Sequence, residues 1–129
     1  MGDQFNLSGD FRGSIVNIKS QLRDVQQSVG EIPGGEPADR QQLQKLIQDL
    51  STALEQTPLA RQEQAEAVAS TAKALVEQAA TPKPNHTMLQ ITGEGLKAAA
   101  KNLADITPTV LAIATQVVMT VGRLTGGLG

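Results

Sequence analysis

The side chains that carry chemistry are few in this sequence, and their spacing argues against an active site. His86 is the only imidazole and stands between Asn85 and Thr87. A general base needs an orienting carboxylate and a substrate pocket. The local sequence supplies neither, so His86 reads as a surface loop histidine. A single His leaves no His–His metal pair. The absence of Cys removes thiol nucleophiles, disulfides and thiolate zinc sites. Glu63 and Glu66 lie three apart on one helix, and Asp3 and Asp10 flank an N-terminal turn. Paired carboxylates can hold a hard cation or perform acid–base work. Here they are mixed with Gln and Arg on polar faces and read as solvated surface. Gly9 and Gly13 follow an apolar alternation, but no P-loop Lys accompanies them, so a phosphate cradle is not supported. No catalytic residue, cofactor or metal is expected, and the reading is that of a non-enzyme.

Composition narrows the partners. Lys and Arg total 11 against 13 Asp and Glu, a formal charge of −2. Nucleic-acid binding wants a basic excess, and single-strand readers also want stacking aromatics. The chain has two Phe, no Trp and no Tyr, so nucleic acid is not an expected partner. Apolar residues at 40 % with 19 % charged fit a folded chain rather than a disordered one. With so few aromatics the core must be aliphatic and alanine-rich, which favours closely packed helices. The N-terminal Met1-Gly2-Asp3-Gln4 has no basic and apolar stretch of the secretory kind. Together with the missing Cys this gives an expectation of a cytoplasmic protein.

These residues need elements to hold them. At 129 residues the chain fits a single domain. Phe5 and Leu7 alternate with polar neighbours, and Ser8-Gly9-Asp10 is turn chemistry. Residues 1–13 are therefore expected as a short β-hairpin or extended arm. From Ser14 the period changes: Ile15, Ile18, Leu22, Val25 and Val29 form a heptad row. Ile15, Val16 and Ile18 are β-branched, so this helix starts either at Ser14 or nearer Ser20. A second helix starts at Pro37 or after Asp39 and carries Leu43, Leu46, Ile47, Leu50 and Leu54. Thr57-Pro58 predicts the start of a third, whose row is Ala65, Val68, Ala69, Ala72, Leu75, Val76 and Ala79. Thr87 with Gln90 has capping-box spacing for a fourth. Gly93 and Gly95 together cost about 2 kcal/mol relative to Ala in a helix interior. The fourth helix is thus either locally weak or restarted after Thr92. A fifth follows Thr107-Pro108. Residues 126–129 read as a flexible tail. The fold class is mostly α: a bundle of four to five helices over residues 14–125, with the N-terminal arm.

Two segments stand out. Residues 106–122 carry no charged side chain. They span about 25 Å as a helix, short of the roughly 30 Å hydrocarbon core, and Thr107, Thr109, Thr115, Gln116 and Thr120 interrupt them. A central or interface helix is the expected reading, and insertion into a membrane after a trigger is the alternative. The arm holds both Phe residues. An isolated hairpin is marginal in water, so the arm either docks on the bundle or adds to another copy. The expected self-association residues are Phe5, Leu7, Phe11, Val110, Leu111, Ile113, Val117 and Val118.

The string Ser8-Gly9-Asp10-Phe11-Arg12-Gly13-Ser14-Ile15-Val16-Asn17-Ile18-Lys19-Ser20 resembles the start of a small bacterial family common in cyanobacteria and other multicellular bacteria. Thr92-Gly93-Glu94-Gly95-Leu96-Lys97-Ala98-Ala99-Ala100, followed by Thr107-Pro108-Thr109-Val110-Leu111-Ala112-Ile113-Ala114, resembles its C-terminal part. Residues 31–85 are generic. Members of that family occur alone or attached to signalling and effector modules of bacterial conflict systems. The resemblance implies an interaction or assembly module and carries over no catalytic residue. The expected partners are further copies of the chain, from the arm and the uncharged helix, and bacterial signalling proteins.

Overall fold

The computed structural model describes the backbone of residues 2–126 and the side chains of most residues from 16 to 126. The architecture is a bundle of five helices: α1 (Gly2–Gly30), α2 (Pro37–Glu55), α3 (Gln62–Ala79), α4 (His86–Lys101) and α5 (Pro108–Thr125). No strand occurs among the described residues. The fold class expected from the sequence is the one observed.

Polar contacts fix the directions. Asn17 donates to Glu66 (3.2 Å), Ser70 donates to Gln21 (3.3 Å), and Lys73 pairs with Asp24 (3.4 Å). The offset stays constant, so α1 and α3 run parallel. Lys19–Glu55 (3.7 Å) and the bond from Gln26 to the Gln44 carbonyl (2.8 Å) make α1 and α2 antiparallel. Arg123–Asp39 (3.5 Å) does the same for α5 and α2. Thr92 donating to Gln78 (3.1 Å) and Arg61 bonding Asp105 make α4 antiparallel to α3. The helices close a ring in the order α1, α3, α4, α5, α2. An odd ring of alternating helices needs one parallel contact, and α1 with α3 supplies it.

The predicted rows are the core. Ile18, Leu22, Val25 and Val29 of α1 are buried, with Ile32 just beyond. So are all five predicted leucines and isoleucines of α2 and all seven predicted residues of α3. α2 begins at Pro37, the first of the two expected starts. α5 begins at Pro108 after Thr107, as expected. The starts of α1, α3 and α4 need correction. Residues 2–13 continue α1 as helix backbone rather than forming a hairpin or an extended arm. The physical reason lies in the sequence: Leu7, Phe11, Ile15 and Ile18 follow one another at 4, 4 and 3, which prolongs the same row. Extending an existing helix avoids a second nucleation, whereas a lone hairpin has little to hold it. By the α1–α3 register, residue 13 is level with Gln62, and residues 2–12 precede the start of α3. The side chains of residues 1–15 and all of residues 127–129, including the expected tail, lie outside the described residues.

Thr57-Pro58 leads into a short 3-10 turn, Leu59–Arg61, before α3 starts at Gln62. Thr57 is buried, and its carbonyl accepts from Gln62 (2.8 Å). The cap of α4 is Asn85, which accepts from the Met88 backbone N–H (3.1 Å), rather than Thr87. Asn is among the strongest N-cap residues. α4 then runs unbroken through Gly93 and Gly95. Gly93 allows a close approach: a Cβ there would stand 3.2 Å from Cγ1 of Val118 on α5.

Arg61 closes the end of the bundle where α3 starts. Its guanidinium donates to both carboxylate oxygens of Asp105 (3.1 and 3.3 Å) and to the Asn102 carbonyl. The hydrogen bonds from Arg61 hold the Asp105 carboxyl below its ordinary value of 3.8.

Two outcomes follow. Leu22→Ala is expected to destabilise the fold by about 2–5 kcal/mol, read from its denaturant midpoint; an unchanged midpoint would place Leu22 on the surface. Because the Asp105 pKa is lower folded than unfolded, its stabilising effect is present above about pH 4 and is lost as pH falls through the folded value. Asp105→Asn should therefore be less stable than wild type at neutral pH, with the gap narrowing in acid. A gap that stays constant down to pH values below the folded pKa removes the ionic role.

Candidate functional site

α5 is the element whose two faces differ most usefully. Val110, Ala114, Val117, Val121 and Leu124 form its buried row. Thr109, Ala112, Gln116 and Met119 form a second row, spaced 3, 4 and 3, on the opposite side, and all four are exposed. Leu111, Thr115 and Val118 on the α4 side are half-buried, as is Ile113. None of these residues is charged. The outer faces of the other helices carry Lys19, Arg23 and Asp24, then Lys45 and Asp49, then Glu63 and Lys73, then Glu94 and Lys97.

The expected association residues therefore divide. Val110 and Val117 are fully buried in their own bundle and are not available at its surface. Leu111, Ile113 and Val118 pack against the core while keeping part of their surface open. Phe5, Leu7 and Phe11 belong to the stretch whose side chains lie outside the described residues. Ala112, Gln116 and Met119 were not among the expected residues. Their 3-4 spacing signals them, but the row is polar enough to pass for a solvated face.

A shallow groove of about 460 Å³ runs beside this row between α2 and α5, lined by Gln41, Gln42, Lys45, Leu46, Asp49 and Gln116, with Ala38 at one end. Three of the four threonines of α5 are already satisfied within the helix. Thr115 donates to the Leu111 carbonyl (2.8 Å), Thr120 to Gln116 (2.8 Å) and Thr125 to Val121 (2.9 Å). Such back-bonding leaves the hydroxyl little demand for water. Gln116 is then the one side-chain amide on this face.

The residues weighed for catalysis do not come together. His86 is exposed at the first turn of α4. Glu63 is in the first turn of α3, and Glu66 bonds Asn17. No group of three His, Asp or Glu that could hold a metal ion occurs among the described residues. At the α2–α3 turn, Thr57 Oγ1, Arg61 Nε and Gln62 Oε1 are buried without a hydrogen-bond partner among the described residues. This polar nook contains neither a base nor an activated nucleophile. No family model, curated protein or solved structure matches the chain.

The two faces of α5 predict opposite mutational behaviour. Val117→Asp places a charge in the core and should abolish the cooperative thermal transition followed by circular dichroism. Met119→Asp, at a position 56 % exposed, should shift the midpoint only slightly. Equal damage from both would show that α5 is buried all round.

Proposed function

We propose that this chain is a non-enzymatic protein–protein interaction and self-assembly module of bacterial signalling or defence, acting in the cytoplasm. One observation carries the interaction reading: from Thr109 to Met119 α5 turns an uncharged face of about three turns to solvent while its opposite face fills the core. Surfaces that need only remain soluble carry charge, as the outer faces of the other four helices do. Interface centres are depleted of charge. A net charge of only −2 offers little repulsion between copies. The bacterial setting and the signalling or defence context rest on the sequence resemblance at both ends of the chain. The first part of α1, with Phe5, Leu7 and Phe11, is proposed as a second contributor, because it precedes the level at which α3 begins.

A second reading is favoured by a separate observation. α5 is long and apolar enough to cross a membrane by length and composition, and 39 % of it is buried in the bundle. A membrane-acting effector that releases α5 into a bilayer is that alternative.

Light scattering across a wide concentration range tests the proposal. The purified chain should scatter heavier than 13.5 kDa, and removal of residues 1–12 should give a smaller species that stays helical by circular dichroism. It should not release dye from liposomes. A 13.5 kDa monomer at every concentration overturns self-association, and dye release by that monomer selects the membrane reading.

A further inference from the structure

We propose that two copies of this chain pack α5 against α5, antiparallel, across a two-fold axis level with Ala114. The inference rests on the self-association reading and specifies its surface, orientation and register.

The row itself supplies the orientation. Thr109, Ala112, Gln116 and Met119 share the solvent face of α5. In an antiparallel pair centred at 114, Ala112 lies opposite Gln116 of the second copy, and Thr109 lies opposite its Met119. Each long side chain thus meets a short one, which is what close packing between two helices requires. A parallel pair would set Met119 against Met119 and Ala112 against Ala112, crowding one level and leaving a gap at another. The row is complementary to its own reverse, and a second copy is the occupant that presents that reverse. The same register pairs residues 108–120 with each other, a stretch with no charged side chain. Arg123, held by Asp39, falls beyond the first residue of the opposing α5.

Position and size agree. α5 lies between α2 and α4 in the ring, so its outer row runs down the middle of a three-helix face. Helices of about 27 Å with axes 8–10 Å apart make that face roughly 25 Å wide and roughly 700 Å² in area. A stable interface takes about 800 Å² from each partner. The groove beside Gln116 provides room for the edge of the second helix. Charge sits at the rim, on Lys45 and Asp49 of α2 and on Glu94 and Lys97 of α4, as in protein interfaces generally.

The absence of Cys makes a cross-linking test clean. Ala112→Cys and Gln116→Cys are made as separate full-length chains, and each is oxidised alone and as an equal mixture. The mixture should form the disulfide-linked dimer several-fold faster than either chain alone. Thr109→Cys mixed with Met119→Cys should behave likewise, while Met119→Cys alone should stay largely unlinked. Rapid self-linking of Met119→Cys means a parallel pair and overturns the proposal. In parallel, Ala112→Glu should keep its helical content and melting temperature but scatter at a lower mass than wild type. If wild type associates and Ala112→Glu associates equally, the α5 interface is wrong while self-association stands. If wild type is monomeric throughout, both fall.

Discussion

How near α3 can come to its neighbours sets the bundle. α3 contacts α1 and α4 along its length and touches α5 across the interior. Its contact row contains Ala65, Ala69, Ala72 and Ala79, all fully buried, alternating with Val68, Leu75 and Val76. No aromatic ring is available among the described core residues to fill a wide gap between helices. The interior must therefore be closed by bringing backbones together, and methyl-sized side chains allow that approach. Gly93 repeats the device between α4 and α5, where a Cβ would press on Val118. A larger side chain at Ala69 or Ala72 would push α1 or α4 outward and open the aliphatic core that both help to cover.

That dependence explains which parts of the fold were legible in the sequence. Heptad rows are dictated by burial, and the rows of α1, α2 and α3 lie where their spacing puts them. Helix ends depend on competition between neighbouring residues, and there the sequence was less decisive. Asn85 takes the cap in place of Thr87, and the turn after Pro58 delays α3 to Gln62 because Thr57 and Gln62 bond each other instead. The N-terminal stretch misled for a different reason. Phe5-x-Leu7 has the period of a strand over three residues, while Leu7, Phe11, Ile15 and Ile18 have the period of a helix over twelve. The longer pattern corresponds to the observed backbone.

The candidate surface was only half legible. Residues 106–122 are conspicuous in lacking charge, but lack of charge does not say which side faces inward. Val110 and Val117 were natural choices for association because they are apolar, and their place on the inward side of α5 is what puts them in the core while Leu111, Ile113 and Val118 stay half-buried. The exposed row mixes Thr, Ala, Gln and Met, which no hydrophobic scale singles out. It becomes visible once the buried row is known and the opposite side is found to be uncharged as well.

The same face bears on the choice between a second copy and a lipid bilayer. Thr115, Thr120 and Thr125 do not decide it, because their hydroxyls return to carbonyls of their own helix and would do so in either surrounding. Gln116 is different. Its side-chain amide has two donors and an acceptor, and hydrocarbon satisfies none of them. On the bundle it sits at the edge of the α2 groove among Gln41, Gln42, Lys45 and Asp49, where polar partners and water are at hand. Inserting α5 in a bilayer would also strip Val110, Val117 and Val121 from the core that α5 shares with α2, α4 and α3. Pairing with a second copy covers the outer row and leaves that core intact.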